Sequence, residues 1–131
     1  MAKKILIVDD HPQICRLVRE FIERQTGLEV CGEAVDGLDG LQKASLLDPD
    51  LIILDFQMPR MNGLEAARVL TQILPSVPII LFTMHNALLP AAAVTNAGIK
   101  AVVSKMESLD VLADHAVRLL ASGNTATQGL G

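Results

Sequence analysis

The sequence has few aromatic residues and few cysteines. Among its 131 residues there is no tryptophan or tyrosine, and there are three phenylalanines and two cysteines. A zinc site or a disulfide framework is disfavoured because Cys15 and Cys31 are few and far apart, and we expect two reduced thiols in or near the core. A flavin carrier is also disfavoured, because aromatic side chains commonly flank a bound flavin and the chain has almost none.

The sequence also lacks an excess of positive charge, long apolar runs and glycine-rich loops. Its net charge of −4 offers no basic surface, so we expect no direct binding of nucleic acid. No apolar run approaches the ~20 residues of a membrane span, and the first residues are unlike a signal peptide. We therefore predict a cytoplasmic protein without membrane contact. No glycine-rich loop for a dinucleotide or nucleoside triphosphate is present.

Five short apolar runs alternate with stretches of helical period. The runs are residues 5–8, 28–30, 51–54, 77–82 and 99–103. Strands of this kind between amphipathic helices predict an α/β fold, a doubly wound parallel sheet covered on both faces. Pro12 and Pro90 suit the first turns of helices, and Gly98 suits a helix end. We predict one domain over residues 1–121, followed by a flexible tail or the beginning of a linker at 122–131.

Polar residues follow four of the predicted strands. Asp9 and Asp10 follow the first, Asp55 ends the third, Thr83 ends the fourth and Lys105 follows the fifth. In parallel sheets these ends meet at one edge, where ligands bind. Three converging carboxylates require a cation, and oxygen ligands favour Mg²⁺. With a lysine and a hydroxyl nearby, the set suits phosphoryl transfer, and Asp55 is the natural nucleophile.

Each of these residues also has an ordinary structural interpretation. Asp9 or Asp10 alone is more often a helix cap, and Asp55 a turn residue. Thr83 alone could bond to backbone, and Lys105 could be a solvated surface charge. The functional interpretation depends on the combination. The three histidines, His11, His85 and His115, show no metal-ligand spacing.

The combination resembles a known family. "VDD" after the first strand, "DFQMP" with Gly63 downstream, Thr83 and "SK" at Lys105 are similar to the receiver (CheY-like) domain of bacterial two-component response regulators, over residues 3 to 121. "VDDHP" and the absence of proline after Lys105 most resemble receivers that precede helix-turn-helix output domains. The resemblance implies a flavodoxin-like (βα)₅ fold with strand order 2-1-3-4-5.

The resemblance also implies the roles of the site residues. Asp55 would accept a phosphoryl group from a sensor histidine kinase or a phosphotransfer protein. Asp10, Asp55 and the backbone carbonyl of Gln57 would bind Mg²⁺, and Asp9 would act through water. Lys105 would pair with the phosphoryl oxygens. The protein would be no enzyme beyond its own phosphorylation and dephosphorylation.

Three residues, Met84, His85 and Val102, are expected to modulate the reaction or the response to it. Thr83 would move to hydrogen-bond the phosphoryl group, but Val102 replaces the aromatic residue that usually reports this movement, and a β-branched side chain cannot rotate on the same scale. Met84 is larger than the residue that many receivers carry there. We hypothesise that Met84 shields the phosphorylated aspartate from water, with Gln57 and His85 beside the approach.

Partner surfaces and rival functions complete the sequence-based expectations. The apolar segment "ALLPAAAVTNAG" suggests a homodimer through the fourth helix, fifth strand and fifth helix, although simple burial would explain it as well. An aspartate-nucleophile phosphatase would need a second acidic residue two positions after its nucleophile. In this sequence the residue two positions after Asp55 is Gln57, so that function is disfavoured. The remaining alternative is a receiver-like interaction module that is not phosphorylated in the cell.

Overall fold

The computed structural model describes residues 2–84 and 89–130, and from residue 122 onward only the helical backbone. Within these ranges five strands and five helices alternate along the chain. The elements are β1 (Lys4–Val8), α1 (Pro12–Thr26), β2 (Glu29–Ala34), α2 (Gly37–Leu47), β3 (Leu51–Leu54), α3 (Gly63–Ile73), β4 (Ile79–Thr83), α4 (Ala91–Asn96), β5 (Ala101–Ser104) and α5 (Leu109–Leu130).

The five strands form one parallel sheet in the order β2-β1-β3-β4-β5. This confirms the doubly wound topology that the sequence pattern predicted and the flavodoxin-like strand order that the resemblance implied. Val8, the last residue of β1, pairs with Ala34 of β2 and with Leu54 of β3. The carboxyl ends of neighbouring strands are therefore level, and the residues that follow them meet at one edge of the sheet.

Alternate residues of the central strands pack into two separate cores. Ile5 and Ile7 of β1 contact one core, which includes buried residues of α1 and α5. Leu6 and Val8 contact the other, which includes buried residues of α2 and α3. Each fully buried aliphatic side chain contributes about 1.5–3 kcal/mol relative to an exposed one. Burial on both faces explains why these strands are continuous apolar runs.

The ends of four strands differ from the prediction, and β1 differs only in beginning one residue earlier, at Lys4. β2 was predicted at residues 28–30 but continues to Ala34. The prediction stopped early because β2 is an edge strand, in which the half-exposed Gly32 and Glu33 interrupt the apolar run. β4 begins at Ile79, directly after Pro78, which has no N–H to give to the sheet. β5 begins two residues later than its apolar run and ends at Ser104.

Helix ends agree closely with the sequence signals. Pro12 opens α1, and Gly98 follows α4 with a φ of 84°, the left-handed conformation that glycine adopts most easily. Pro90 lies one residue before α4, at its N-cap. The backbone of α5 is helical to Leu130, and the proposed division of the chain after residue 121 stays a prediction. None of the helices in the described ranges has the length and apolar character of a membrane span.

Candidate functional site

The sheet brings the predicted polar residues to a single edge through its own hydrogen-bond ladder. Beyond the last residues of β1 and β3, the Asp9 N–H donates to the Ala34 carbonyl and the Asp55 N–H donates to the Val8 carbonyl, both at 2.9 Å. At the same edge, beyond the ends of β4 and β5, the Lys105 N–H donates to the Thr83 carbonyl at 2.9 Å. The backbones of Asp9, Asp55 and Lys105 are thus held by the neighbouring strands rather than by mobile loops.

Lys105 lies between two buried carboxylates. Its Nζ is 2.7 Å from Asp9 Oδ2 and 3.2 Å from Asp55 Oδ2, although 96 positions separate Lys105 from Asp9 in the sequence. The side chains of Lys105, Asp9 and Asp55 are 9%, 3% and 5% exposed. The ring of Phe82 lies 5.9 Å from the same ammonium group. The positive charge that the adjacent acids require is therefore supplied, in this structure, by the protein itself.

The electrostatics of this group follow from burial and charge. Burial raises the pKa of the Asp55 carboxyl above its ordinary value of 3.8, and the charge of Asp9 raises it further, while Lys105 acts in the opposite direction. Burial alone would lower the pKa of Lys105, but its hydrogen bond to Asp9 and the charges of Asp9 and Asp55 outweigh burial and raise that pKa above 10.5. Lys105 therefore stays charged.

The second oxygen of Asp9 is also occupied. Asp9 Oδ1 accepts a hydrogen bond from the backbone N–H of His11 at 2.9 Å and lies 3.0 Å from His11 Nδ1. The Asp9 carbonyl is 3.6 Å from the Sγ of Cys15, whose pKa is raised to about 12 by burial and by the charge of Asp9. Cys15 is thus an inert core thiol, as predicted, and half-buried Cys31 is likewise a free thiol.

Asp10 contains the one orphaned atom of the site. Its Oδ1 is shielded from solvent and has no hydrogen-bond partner among the described residues. His11 Nδ1 lies 3.1 Å from it, but the hydrogen-bond geometry is not met. A buried oxygen without a donor is destabilising unless a cation binds there. Asp9, Asp10, His11 and Asp55 each offer one ligand atom, all within 4.8 Å of one another, so the donor set fits a hard divalent cation.

His11 lies in this cluster, although the three histidines show no metal-ligand spacing in the sequence. The signal was the position of His11 immediately after two aspartates at the end of a strand. There the N-cap of α1 turns the chain, so that the His11 side chain folds back beside both carboxylates.

Asp55 is positioned by the loop that connects β3 and α3. Its Oδ1 accepts a hydrogen bond from the Phe56 N–H at 2.8 Å. The Gly63 N–H closes the loop on the Phe56 carbonyl at 2.7 Å, and a capping box between Asn62 and Glu65 begins α3. A side chain at position 63 would press on the backbone of Asp55 and Phe56, which explains the glycine. The loop therefore holds the Asp55 carboxylate in a fixed orientation.

An open pocket of about 330 Å³ gives access to this carboxylate. It is lined by Asp10, His11, Asp55, Gln57, Met84 and Lys105. This volume leaves room for a phosphoryl group next to Asp55. Met84, which is 53% exposed, is one of the lining residues, and its role in shielding stays a prediction.

Not every predicted site residue lines this pocket. Thr83 is fully buried at the end of β4, outside the lining residues. Val102 contributes to a different pocket of about 370 Å³, together with residues of α4 such as Val94 and Thr95. His85 lies outside the described residues, so its expected place beside the pocket stays a prediction. The structure therefore gathers Asp9, Asp10, Asp55, Gln57, Met84 and Lys105.

Comparisons with known proteins agree with this arrangement. The family model described as response regulator receiver domain matches residues 5–117. A protein-glutamate methylesterase/protein-glutamine glutaminase from Pyrococcus horikoshii is 36% identical over 104 residues, which cover 79% of this chain and 26% of that protein. This chain thus spans about a quarter of the length of that relative.

Two crystal structures are similar over most of the chain. One is a LuxR-family two-component response regulator from Aurantimonas, with 31% identity and a TM-score of 0.85, covering 93% of this chain and 87% of that one. The other is the response regulator TrrA from Thermotoga maritima in complex with Mg(2+)-BeF, with 31% identity and a TM-score of 0.81, covering 89% of this chain and 98% of that one.

Proposed function

Because this chain belongs to the response regulator receiver domain family, we propose that its Asp55 accepts a phosphoryl group from a sensor histidine kinase or a phosphotransfer protein. The chain is a receiver domain of two-component signalling, and the assignment of the accepting residue depends on one observation. The Asp55 carboxylate lies in an open pocket with the Lys105 ammonium 3.2 Å away, so that an anion attached to Asp55 meets a fixed positive charge.

The reaction we propose needs only one nucleophile and its electrostatic support. An oxygen of the Asp55 carboxylate attacks phosphorus, a P–O bond forms, and the P–N bond to the imidazole of a phosphohistidine breaks. The imidazole leaves with the electron pair and takes up a proton from water. Burial and the charge of Asp9 raise the pKa of Asp55, while Lys105 acts in the opposite direction by stabilising the ionised carboxylate that serves as the nucleophile. This is acceptance of a phosphoryl group, and we propose no further enzymatic activity.

Mg²⁺ is the cation that the family implies, and the residues present fit it. Asp10, Asp55 and the backbone carbonyl of Gln57 would hold the ion, and the buried, unpartnered Asp10 Oδ1 supports this choice. Both oxygens of Asp9 already contact Lys105 or His11, which supports an indirect role through water. When bound, the ion would neutralise the charge on the transferred phosphoryl oxygens.

The response to phosphorylation involves Lys105 and Thr83. We propose that Lys105 pairs with one phosphoryl oxygen and that Thr83, the last residue of β4, rearranges to hydrogen-bond another. Val102 lies beside α4 rather than at the pocket of Asp55, and it lines a second pocket there. The movement of Thr83 would therefore alter the surface of α4 and β5 by shifting backbone rather than by rotating an aromatic ring. That surface, with α5, is the proposed homodimer face.

Intact mass spectrometry tests the phosphoacceptor directly. The protein is incubated with acetyl phosphate, with Mg²⁺ or with a chelator, and compared with Asp55→Asn. The matched control is Asp110→Asn, the same change at an exposed aspartate in the first turn of α5. We expect one phosphoryl group to be gained by the wild type and the control, only with Mg²⁺, and none by Asp55→Asn.

A phosphorylated histidine kinase or phosphotransfer protein serves as the second donor. Phosphorylation of Asp55→Asn at the wild-type level would overturn the assignment of Asp55. Absence of phosphorylation from either donor would instead favour a receiver-like interaction module. Size-exclusion chromatography of the phosphorylated protein then tests the dimer, because an unchanged elution volume would contradict phosphorylation-dependent association through α4, β5 and α5.

A further inference from the structure

His11 brings a nitrogen atom to the same point as two carboxylates. Its Nδ1 is 3.0 Å from Asp9 Oδ1 and 3.1 Å from Asp10 Oδ1. The imidazole is 60% exposed and lines the open side of the pocket, so solutes reach it without any opening of the core. No role in the proposed phosphoryl transfer has been assigned to this side chain.

A hydrogen bond holds the ring beside Asp9, but an oxygen of Asp10 is left without a donor. Asp9 Oδ1 already accepts the backbone N–H of His11 at 2.9 Å. If Nδ1 carries a hydrogen, it donates a second hydrogen bond to Asp9 Oδ1, and Asp10 Oδ1 is left without a donor. In the other neutral tautomer the hydrogen is on Nε2, and Nδ1 presents a lone pair to two carboxylate oxygens. A metal ion bound among the three atoms would stabilise that arrangement.

The distances from His11 Nδ1 to the two carboxylate oxygens are compatible with neighbouring ligands of one metal ion. Around an octahedral ion with bonds of about 2.1 Å, adjacent ligand atoms are about 3.0 Å apart. The distances from His11 Nδ1 to the two oxygens, 3.0 and 3.1 Å, match this value. Mg²⁺ prefers oxygen ligands and water, whereas imidazole suits transition-metal ions such as Ni²⁺ and Zn²⁺.

We propose that His11 Nδ1 is a ligand for transition-metal ions at this pocket and thereby determines which divalent cation the pocket selects. The inference rests on the divalent-cation site of the proposed function and adds a nitrogen ligand to it. With Mg²⁺ the ring keeps its hydrogen bond to Asp9, and with Ni²⁺ it contributes a bond to the metal. Asp10 supplies a neighbouring oxygen in both cases.

Calorimetric titration with Ni²⁺ and separately with Mg²⁺ tests this, using the wild type and His11→Gln. The matched control is His115→Gln, the same substitution on α5, outside the pocket. We expect His11→Gln to weaken Ni²⁺ binding by at least about tenfold and to change Mg²⁺ binding by less than about twofold. His115→Gln should change neither affinity. Proton NMR of the Ni²⁺-loaded wild type should show a hyperfine-shifted imidazole N–H signal that is absent in His11→Gln.

Three results would overturn the inference, and they differ from failure of the metal site as a whole. Equal weakening of both ions by His11→Gln would make His11 a positioning residue for Asp9 rather than a ligand. No change in Ni²⁺ affinity, or the same loss in His115→Gln, would exclude it from the Ni²⁺ site. If the wild type bound neither ion, the divalent-cation site of the proposed function would be wrong, and the ligand role of His11 with it. Circular dichroism of each variant establishes that it is folded.

Discussion

Replacement of Lys105 by methionine tests the charge balance of the acidic site. The Lys105 ammonium contacts Asp9 at 2.7 Å and Asp55 at 3.2 Å, and all three side chains are nearly buried. Methionine keeps most of the length and apolar volume of lysine but carries no charge. Two buried carboxylates would then face each other without a counterion. We expect Lys105→Met to destabilise the metal-free protein strongly.

The size of the loss follows from these distances. At an effective dielectric constant of about 20, the attraction across 2.7 and 3.2 Å amounts to roughly 6 and 5 kcal/mol, of which desolvation of the lysine offsets a large part. Removal of one partner of a buried pair costs ~3–5 kcal/mol. Protonation of Asp55, whose pKa is already raised, keeps the loss near the lower end. We expect about 3 kcal/mol at neutral pH, or a Tm about 10 °C lower.

Urea and thermal unfolding in the presence of a chelator, followed by circular dichroism, measure this loss. The control is Lys43→Met, which breaks a half-exposed pair with Asp39 at 3.2 Å and should cost no more than about 1 kcal/mol. Addition of Asp55→Asn to Lys105→Met should restore part of the stability, because only Asp9 then remains uncompensated. A loss from Lys105→Met no greater than that from Lys43→Met would refute the view that Lys105 is the counterion of the site.

Further predictions concern Asp55, Met84 and Gly63. The pKa of Asp55 is higher in the folded protein than in the unfolded chain, so ionised Asp55 lowers the free energy of unfolding at pH values above that raised pKa. This loss of stability disappears as the pH falls through the raised pKa and below 3.8, where Asp55 is protonated in both states. Asp55→Asn should therefore stabilise the metal-free protein against urea at neutral pH but not below pH 3.8, and equal stability at neutral pH would contradict this. Met84→Ala should speed loss of the phosphoryl group several-fold by opening the rim of the pocket, and an unchanged rate of phosphate release would disprove shielding. Gly63→Ala would place a methyl group 2.8 Å from the Phe56 Cα and should cost ~1–3 kcal/mol in urea unfolding, whereas no loss would show that the loop can relax.

The fold could be predicted because the central strands are buried on both faces. Ile5 to Val8 and Leu51 to Leu54 are apolar at every position since helices cover both sides of the sheet. The same rule failed at β2, where Gly32 and Glu33 are half-exposed in an edge strand and carry no apolar signal. Strand pairing, which defines β2, is a tertiary property that a local pattern does not contain.

The candidate site was less completely predictable from the sequence than the fold. Strand ends identify Asp9, Asp55 and Lys105, but the sequence does not say which carboxylate the lysine prefers. The structure gives the shorter contact to Asp9, which the resemblance had assigned only a role through water. His11 was missed because its side chain turns back at the N-cap of α1, and this rotation depends on the fold.

The short contact between Lys105 and Asp9 bears on how one lysine can serve two states of the protein. Before phosphorylation, Lys105 is the counterion that allows Asp9 and Asp55 to be buried together. Asp10 Oδ1 accepts no hydrogen bond, so a cation could be bound there without breaking one. In the function proposed above, the added positive charge would reduce the dependence of Asp9 on Lys105. The ammonium, only 3.2 Å from Asp55 Oδ2, would then be free to pair with a phosphoryl group on that carboxylate through a small side-chain movement.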